Sequence, residues 1–133
     1  MQPLPDAFLE ALAGQDEVLV TSREGDTHGT VPTWFVIASP GVVYLFSFWF
    51  SEKVRRFRSD PWVRLSTRSA PRVSAEGVAH FVQADELDEA TARLIVDRWS
   101  MQGAPTVEGL RRTLRDRVHA LIRVEGVIVQ LAQ

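Results

Sequence analysis

The sequence predicts a mainly β protein with helices (α+β by count), built as an antiparallel barrel of about six to seven strands. A short N-terminal helix, a short helix after the third strand and a longer helix near residues 85–101 accompany the barrel. Two observations predict it. Strand-type runs follow one another in meander order, separated by turn residues, and the helical period appears only in segments inserted between them. With 133 residues and no repeat or linker, the chain fits a single domain over 1–133.

Pro5 to Ala13 reads as a short helix with Phe8, Leu9 and Leu12 on one face and Gly14 to end it. Glu17 to Ser22 is a strand, turned by Arg23-Glu24-Gly25-Asp26, where Gly25 can take φ > 0. Gly29 to Ala38 is the second strand; Pro32 has no N–H, so the strand is an edge or is bulged there. Ser39-Pro40-Gly41 turns into a third strand, Val42 to Phe48. Ser51 to Ser59 changes period: Val54, Phe57 and Arg58 share a helical face, Ser51 suits the N-cap and Asp60-Pro61 stops the helix.

Trp62 to Arg68 alternates Val63, Leu65 and Thr67 against Arg64, Ser66 and Arg68, the pattern of a half-buried strand. After Ser69-Ala70-Pro71, Arg72 to Gln83 is a long fifth strand with Gly77 marking a bulge or bend. Asp85 to Met101 is the long helix, with Leu87, Ala90, Leu94 and Trp99 as its apolar stripe and Asp85 and Asp88 at its start. Past the loop Gly103-Ala104-Pro105, Thr106 to Leu114 is a further short helix. His119 to Val124 and Val127 to Leu131 read as a hairpin about Glu125-Gly126.

Composition narrows function by exclusion. Absence of cysteine removes disulfides, thiolate metal sites and cysteine nucleophiles, and fits a cytoplasmic protein. A net charge of −2 gives no global field toward nucleic acid or anionic membrane. The start of the chain lacks the pattern of a signal peptide, and the apolar run Val42 to Phe50 is too short to span a bilayer. His28, His80 and His119 lack metal-ligand spacing, so no metal is expected, and no G-x-S-x-G or P-loop motif occurs. The crowd Asp85, Glu86, Asp88 and Glu89 suits a helix start better than paired acid–base chemistry, and the four tryptophans suit core or interface.

The informative stretch runs from Gly29 to Leu65. Of 15 basic residues only Lys53 is lysine, and it stands in the first turn of the helix that Ser51 begins. Free N–H groups, the positive end of the dipole, an ammonium and a hydroxyl make an anion site there, of the kind that takes phosphate. A lysine at this position otherwise works against the dipole.

This stretch resembles the pyridoxamine 5′-phosphate oxidase-like family, the FMN-binding split β-barrels that include flavin- and deazaflavin-dependent reductases. Gly29 to Phe35 resembles the family's G-x-x-x-P-x-W-F strand, and Ser51 to Leu65 its S-x-K-x-x-x-x-x-x-D-P-x-V-x-L segment; the likeness covers residues 15–83. The resemblance implies an oxidoreductase acting on a small molecule, with FMN as cofactor or the deazaflavin coenzyme F420 as the alternative. It also implies a homodimer with cofactor sites between subunits. Carried onto matching positions, Ser51 and Lys53 hold the cofactor phosphate, and Val31, Thr33 and Trp34 face the polar edge of the ring. Phe46 and Ser47 lie beside the ribityl or phosphate, and Arg72 reaches over from the facing subunit. No catalytic side chain is assigned. Glu52 departs from the pattern, standing where several relatives carry arginine, so the phosphate has one cation fewer and a carboxylate nearby. Arg55 or Arg56 could assist a phosphate or an acidic cofactor tail. Phe48-Trp49-Phe50 departs too, bringing three rings that either line the pocket or fill it. Two other readings therefore stay open: a non-catalytic carrier of the cofactor, and a homodimeric barrel whose pocket has closed.

Overall fold

The structure is a computed structural model that describes residues 4–38, 41–70, 72–100 and 105–131, the last five of these by backbone alone. Six strands close into an antiparallel barrel in the order β1-β2-β3-β6-β5-β4. They are β1 (Glu17–Glu24), β2 (Thr27–Ala38), β3 (Val42–Phe48), β4 (Trp62–Thr67), β5 (Val73–Phe81) and β6 (His119–Leu131). Among the described residues four helices accompany them: α1 (Asp6–Ala13), α2 (Glu52–Ser59), α3 (Glu89–Trp99) and α4 (Val107–Arg115). Among the described residues no helix is long and apolar enough to cross a membrane.

Two cores hold the barrel. Inside it, Val18, Val20, Phe35, Val43, Leu45, Val63, Leu65 and Ile122 pack with Phe8 and Leu12 of α1 and with Val54 and Phe57 of α2. Outside it, Val36, Val42, Tyr44, Phe46 and Leu121 are covered by Ile95 and Trp99 of α3 and Leu110 of α4. β3 therefore buries both faces, which explains why it reads as a continuous apolar run, while β4 alternates as its sequence predicts. The Trp99 indole N–H donates to the Phe35 carbonyl at 3.0 Å, pinning the end of α3 to β2.

Three expectations change. The sequence pointed to a terminal hairpin about Glu125-Gly126, but β6 is one continuous strand that pairs with β3 on one side and β5 on the other. Gly126 is required by space instead of a turn: a Cβ there would lie 2.0 Å from Leu4 Cδ2. It pairs with Gly77, beside the register shift that the glycine in β5 predicted, with Val127 as the extra residue on β6. The long helix begins only at Glu89, because the Asp88 carboxylate caps it by accepting from the Thr91 N–H at 2.7 Å. Starting there, the buried stripe is Thr91, Ala92, Ile95 and Trp99, while Ala90 and Leu94 are exposed. Arg58 does not join Val54 and Phe57 in the core; it is exposed, its guanidinium 4.8 Å from the Trp49 ring. Ser39, Pro40, Pro71 and 101–104, where two turns, the α3 end and part of a loop were expected, lie outside the described residues.

The feature that matters for function is a parting of strands. β2 and β3 pair from Ala38↔Val42 to Trp34↔Phe46; toward its N-terminal end β2 continues with β1 alone, while β3 continues with β6. Pro32 sits in the half of β2 that pairs only with β1, where its missing N–H deprives no second neighbour. Val54 and Phe57 anchor α2 in the barrel core, so its first turn stands at this opening.

Candidate functional site

A groove follows the opening in two adjoining sections. One, about 400 Å³, is lined by Ser22, Gly29, Thr30, Val31, Pro32, Ser51, Glu52, Lys53 and Arg56. The other, about 210 Å³, is lined by Glu17, Pro32, Thr33, Trp34, Phe46, Ser47, Phe48 and Lys53. Pro32 and Lys53 belong to both. Of the residues expected from sequence, Val31, Ser51 and Lys53 meet in the first section, and Thr33, Trp34, Phe46, Ser47 and Lys53 in the second. Arg72 is exposed just before β5 and lines neither section; the expectation for it concerned a facing subunit.

Lys53 is half-buried, and loss of solvent pulls its ammonium below the usual lysine range. Among the described residues it makes no hydrogen bond and no ion pair. Ser51 caps α2 with extended backbone but gives its side chain to no helix N–H. Its hydroxyl has only the Ser47 hydroxyl, at a long 3.5 Å. The first turn of α2 therefore keeps N–H groups without intrahelical partners, facing the same space as Lys53. Glu52, the unexpected carboxylate, turns to Arg55, whose hydrogen bond holds it below the usual carboxylate range.

The aromatic triplet divides its work. Phe48 lines the second section and is 55 % exposed, while Phe50 points to solvent at 85 %. Trp49 packs on the barrel core against Phe81, with ring centroids 5.8 Å apart. Of the three rings, Phe48 alone lines the groove. Trp34 stacks on Phe46 at 6.3 Å and on Trp99 at 5.6 Å, giving a rigid apolar wall.

His119 backs this wall, stacked 4.7 Å from both Phe46 and Phe48. Its Nδ1 meets the Thr113 hydroxyl at 2.7 Å, and its buried Nε2 has no partner. Burial pushes its pKa below the ordinary histidine value, so the folded state keeps the ring neutral. The unfolded chain then takes up the proton first. The contribution to stability is full above about pH 6.5 and is lost as pH falls through that value toward the lower folded one. Thermal melts between pH 7.5 and 5.5 are expected to show a loss of stability that shrinks in His119→Leu; an equal loss in both proteins would contradict this. His28 and His80 stand elsewhere, the first edge-on to Trp62 at 5.4 Å and the second 3.2 Å from Glu86.

Sequence reasoning missed Glu17, Ser22, Gly29, Thr30 and Pro32 as lining residues. Strand register would have found Glu17, which pairs with Trp34.

No protein-family model matches the chain, and no curated protein matches it by sequence. Solved structures do. A Listeria innocua protein named for pyridoxamine 5′-phosphate oxidase superposes with TM-score 0.68 at 18% identity, covering 95% of each chain. An F420 reductase gives 0.66 at 15% identity, over 96% of this chain and 98% of the other. HutZ, a haem storage protein of Vibrio cholerae, gives 0.67 at 13% identity, over 98% of this chain and 95% of its own. With the barrel closed in this strand order and parted between β2 and β3, the chain has the split β-barrel fold of the pyridoxamine 5′-phosphate oxidase-like proteins.

Proposed function

We propose that the groove holds a phosphorylated ring cofactor, FMN with the deazaflavin as the alternative, and that the protein is a cytoplasmic oxidoreductase acting on a small molecule. The observation that carries this reading is Lys53, a partly buried ammonium without a partner among the described residues, placed where the two sections meet. Burying a cation costs free energy that a purely structural role offsets with a carboxylate. Here Glu52, the nearest candidate in sequence, is drawn to Arg55 instead, leaving Lys53 for an anion.

On this reading Ser51, Lys53 and the open N–H groups of α2 take the phosphate. Val31 and Thr33 serve the polar edge of the ring, Trp34 and Phe46 its apolar surface, and Ser47 the chain between ring and phosphate. When bound, such a cofactor supplies hydride or electron transfer, and the protein contributes position, charge and exclusion of water. Two proteins of similar structure, an F420 reductase and a FAD-binding protein of Mesorhizobium loti, support a flavin-type ligand. Exposed Val31 and Phe48 at the groove, with exposed Phe50 two residues further along the chain, support a homodimer that covers this rim and brings Arg72 of the second copy toward it.

The test is visible absorbance of the purified protein, mass spectrometry of any small molecule released on denaturation, and titration of the ligand-free protein with FMN and the deazaflavin. A flavin or deazaflavin mass, or binding at micromolar concentration or tighter, is the expected result. Binding of neither at that level would leave only a barrel whose pocket is unused. Turnover with a reductant and a test acceptor then separates an enzyme from a carrier.

A further inference from the structure

We infer that Arg56 is the second cation of the phosphate-binding end, held there because Gly29 has no side chain, and that it takes the place of the cation Glu52 does not supply. This rests on the groove reading above. Arg56 lines the same section as Ser51, Lys53 and Gly29, with its side chain only 13% exposed. Among the described residues none of its N–H groups makes a hydrogen bond. Its Nε is buried without an acceptor, lying 3.4 Å from Glu52 Oε1 but outside hydrogen-bond geometry. A buried Nε without a hydrogen bond is costly, and the guanidinium fork that lines the groove matches the oxygens of a phosphate.

Arg55, its neighbour on α2, is in the opposite condition. It donates to both oxygens of Glu24 at 2.8 and 3.1 Å and also binds Glu52. These bonds hold both carboxylates below their usual range. Arg55 thus carries the hydrogen bonds to the acidic rim, while Arg56, ion-paired with Glu52 at 3.4 Å, makes no hydrogen bond among the described residues. Gly29 makes this possible by space alone: a Cβ there would lie 2.5 Å from Arg56 Nη1, and its φ is not in the left-handed region. Any side chain at 29 pushes the guanidinium away, at little cost to the fold, because only the flexible end of an arginine must move.

The experiment compares FMN with riboflavin, and the deazaflavin with its phosphate-free core, in wild type, Arg56→Met, Gly29→Ala and the double variant. Arg56→Met is expected to lower affinity for the phosphorylated ligand roughly tenfold to a hundredfold, and for the phosphate-free one by less than about twofold. Gly29→Ala shifts the same ratio in the same direction with its melting temperature kept, and the double variant is no worse than Arg56→Met alone. If Arg56→Met keeps the wild-type preference for phosphate while Lys53→Ala loses it, the inference is overturned and the groove reading stands. Additive losses in the double variant overturn the role of Gly29. Failure of the wild type to bind any of the four ligands removes both readings.

Discussion

Lys53→Ala is expected to weaken FMN binding by about a hundredfold while leaving riboflavin within about twofold of wild type. The two ligands differ only by the phosphate, so the difference isolates the anion contact from ring packing against Trp34 and Phe46. Fluorescence titration of both ligands measures it, and an equal loss for both would refute the phosphate role. Stability gives a second readout. Burial depresses the Lys53 pKa, so the folded state disfavours the charge at every pH below that lowered value. The penalty is relieved only as pH rises through it toward the unfolded value. Near neutrality the ligand-free Lys53→Ala protein should therefore melt at or above the wild-type temperature, while the upward shift that FMN gives the wild type is lost.

Gly77→Ala is the largest structural effect expected, a destabilisation of about 3 kcal/mol or more. The added carbon would lie 2.3 Å from the Glu125 carbonyl oxygen and 3.0 Å from its carbon, both backbone atoms of β6. Neither can move without disturbing the strand that joins β3 to β5. Gly126→Ala is the instructive contrast, because the nearest atom to its new carbon belongs to the Leu4 side chain, which can turn aside. Urea unfolding of the two variants should rank Gly77→Ala well below Gly126→Ala; equal stabilities would mean that β5 and β6 do not approach so closely.

These glycines show what the sequence could and could not convey. β4 was legible because its buried face alternates along contiguous residues, and α2 because Ser51, the Val54–Phe57 spacing and Asp60-Pro61 are local signals. Glu125-Gly126 has the chemistry of a turn, yet its glycine answers to Leu4, far away in the chain. The same limit applied at the site. Lys53 and Ser51 could be singled out by position on a helix start, but the choice between Arg55 and Arg56 depended on Glu24 and Gly29, distant in sequence on β1 and β2. Likewise the stripe of α3 shifted because Asp88, and not Asp85, caps the helix.

β6 also determines how the molecule assembles. Hairpins β1–β2, β2–β3 and β4–β5 join neighbours in sequence, and each can zip from its own turn. Sealing the cylinder must wait until β1 has found β4 and the stretch from His119 onward has found two partners many residues upstream. Loop-closure entropy slows such pairings, so folding is expected to be paced by these non-local dockings more than by its helices.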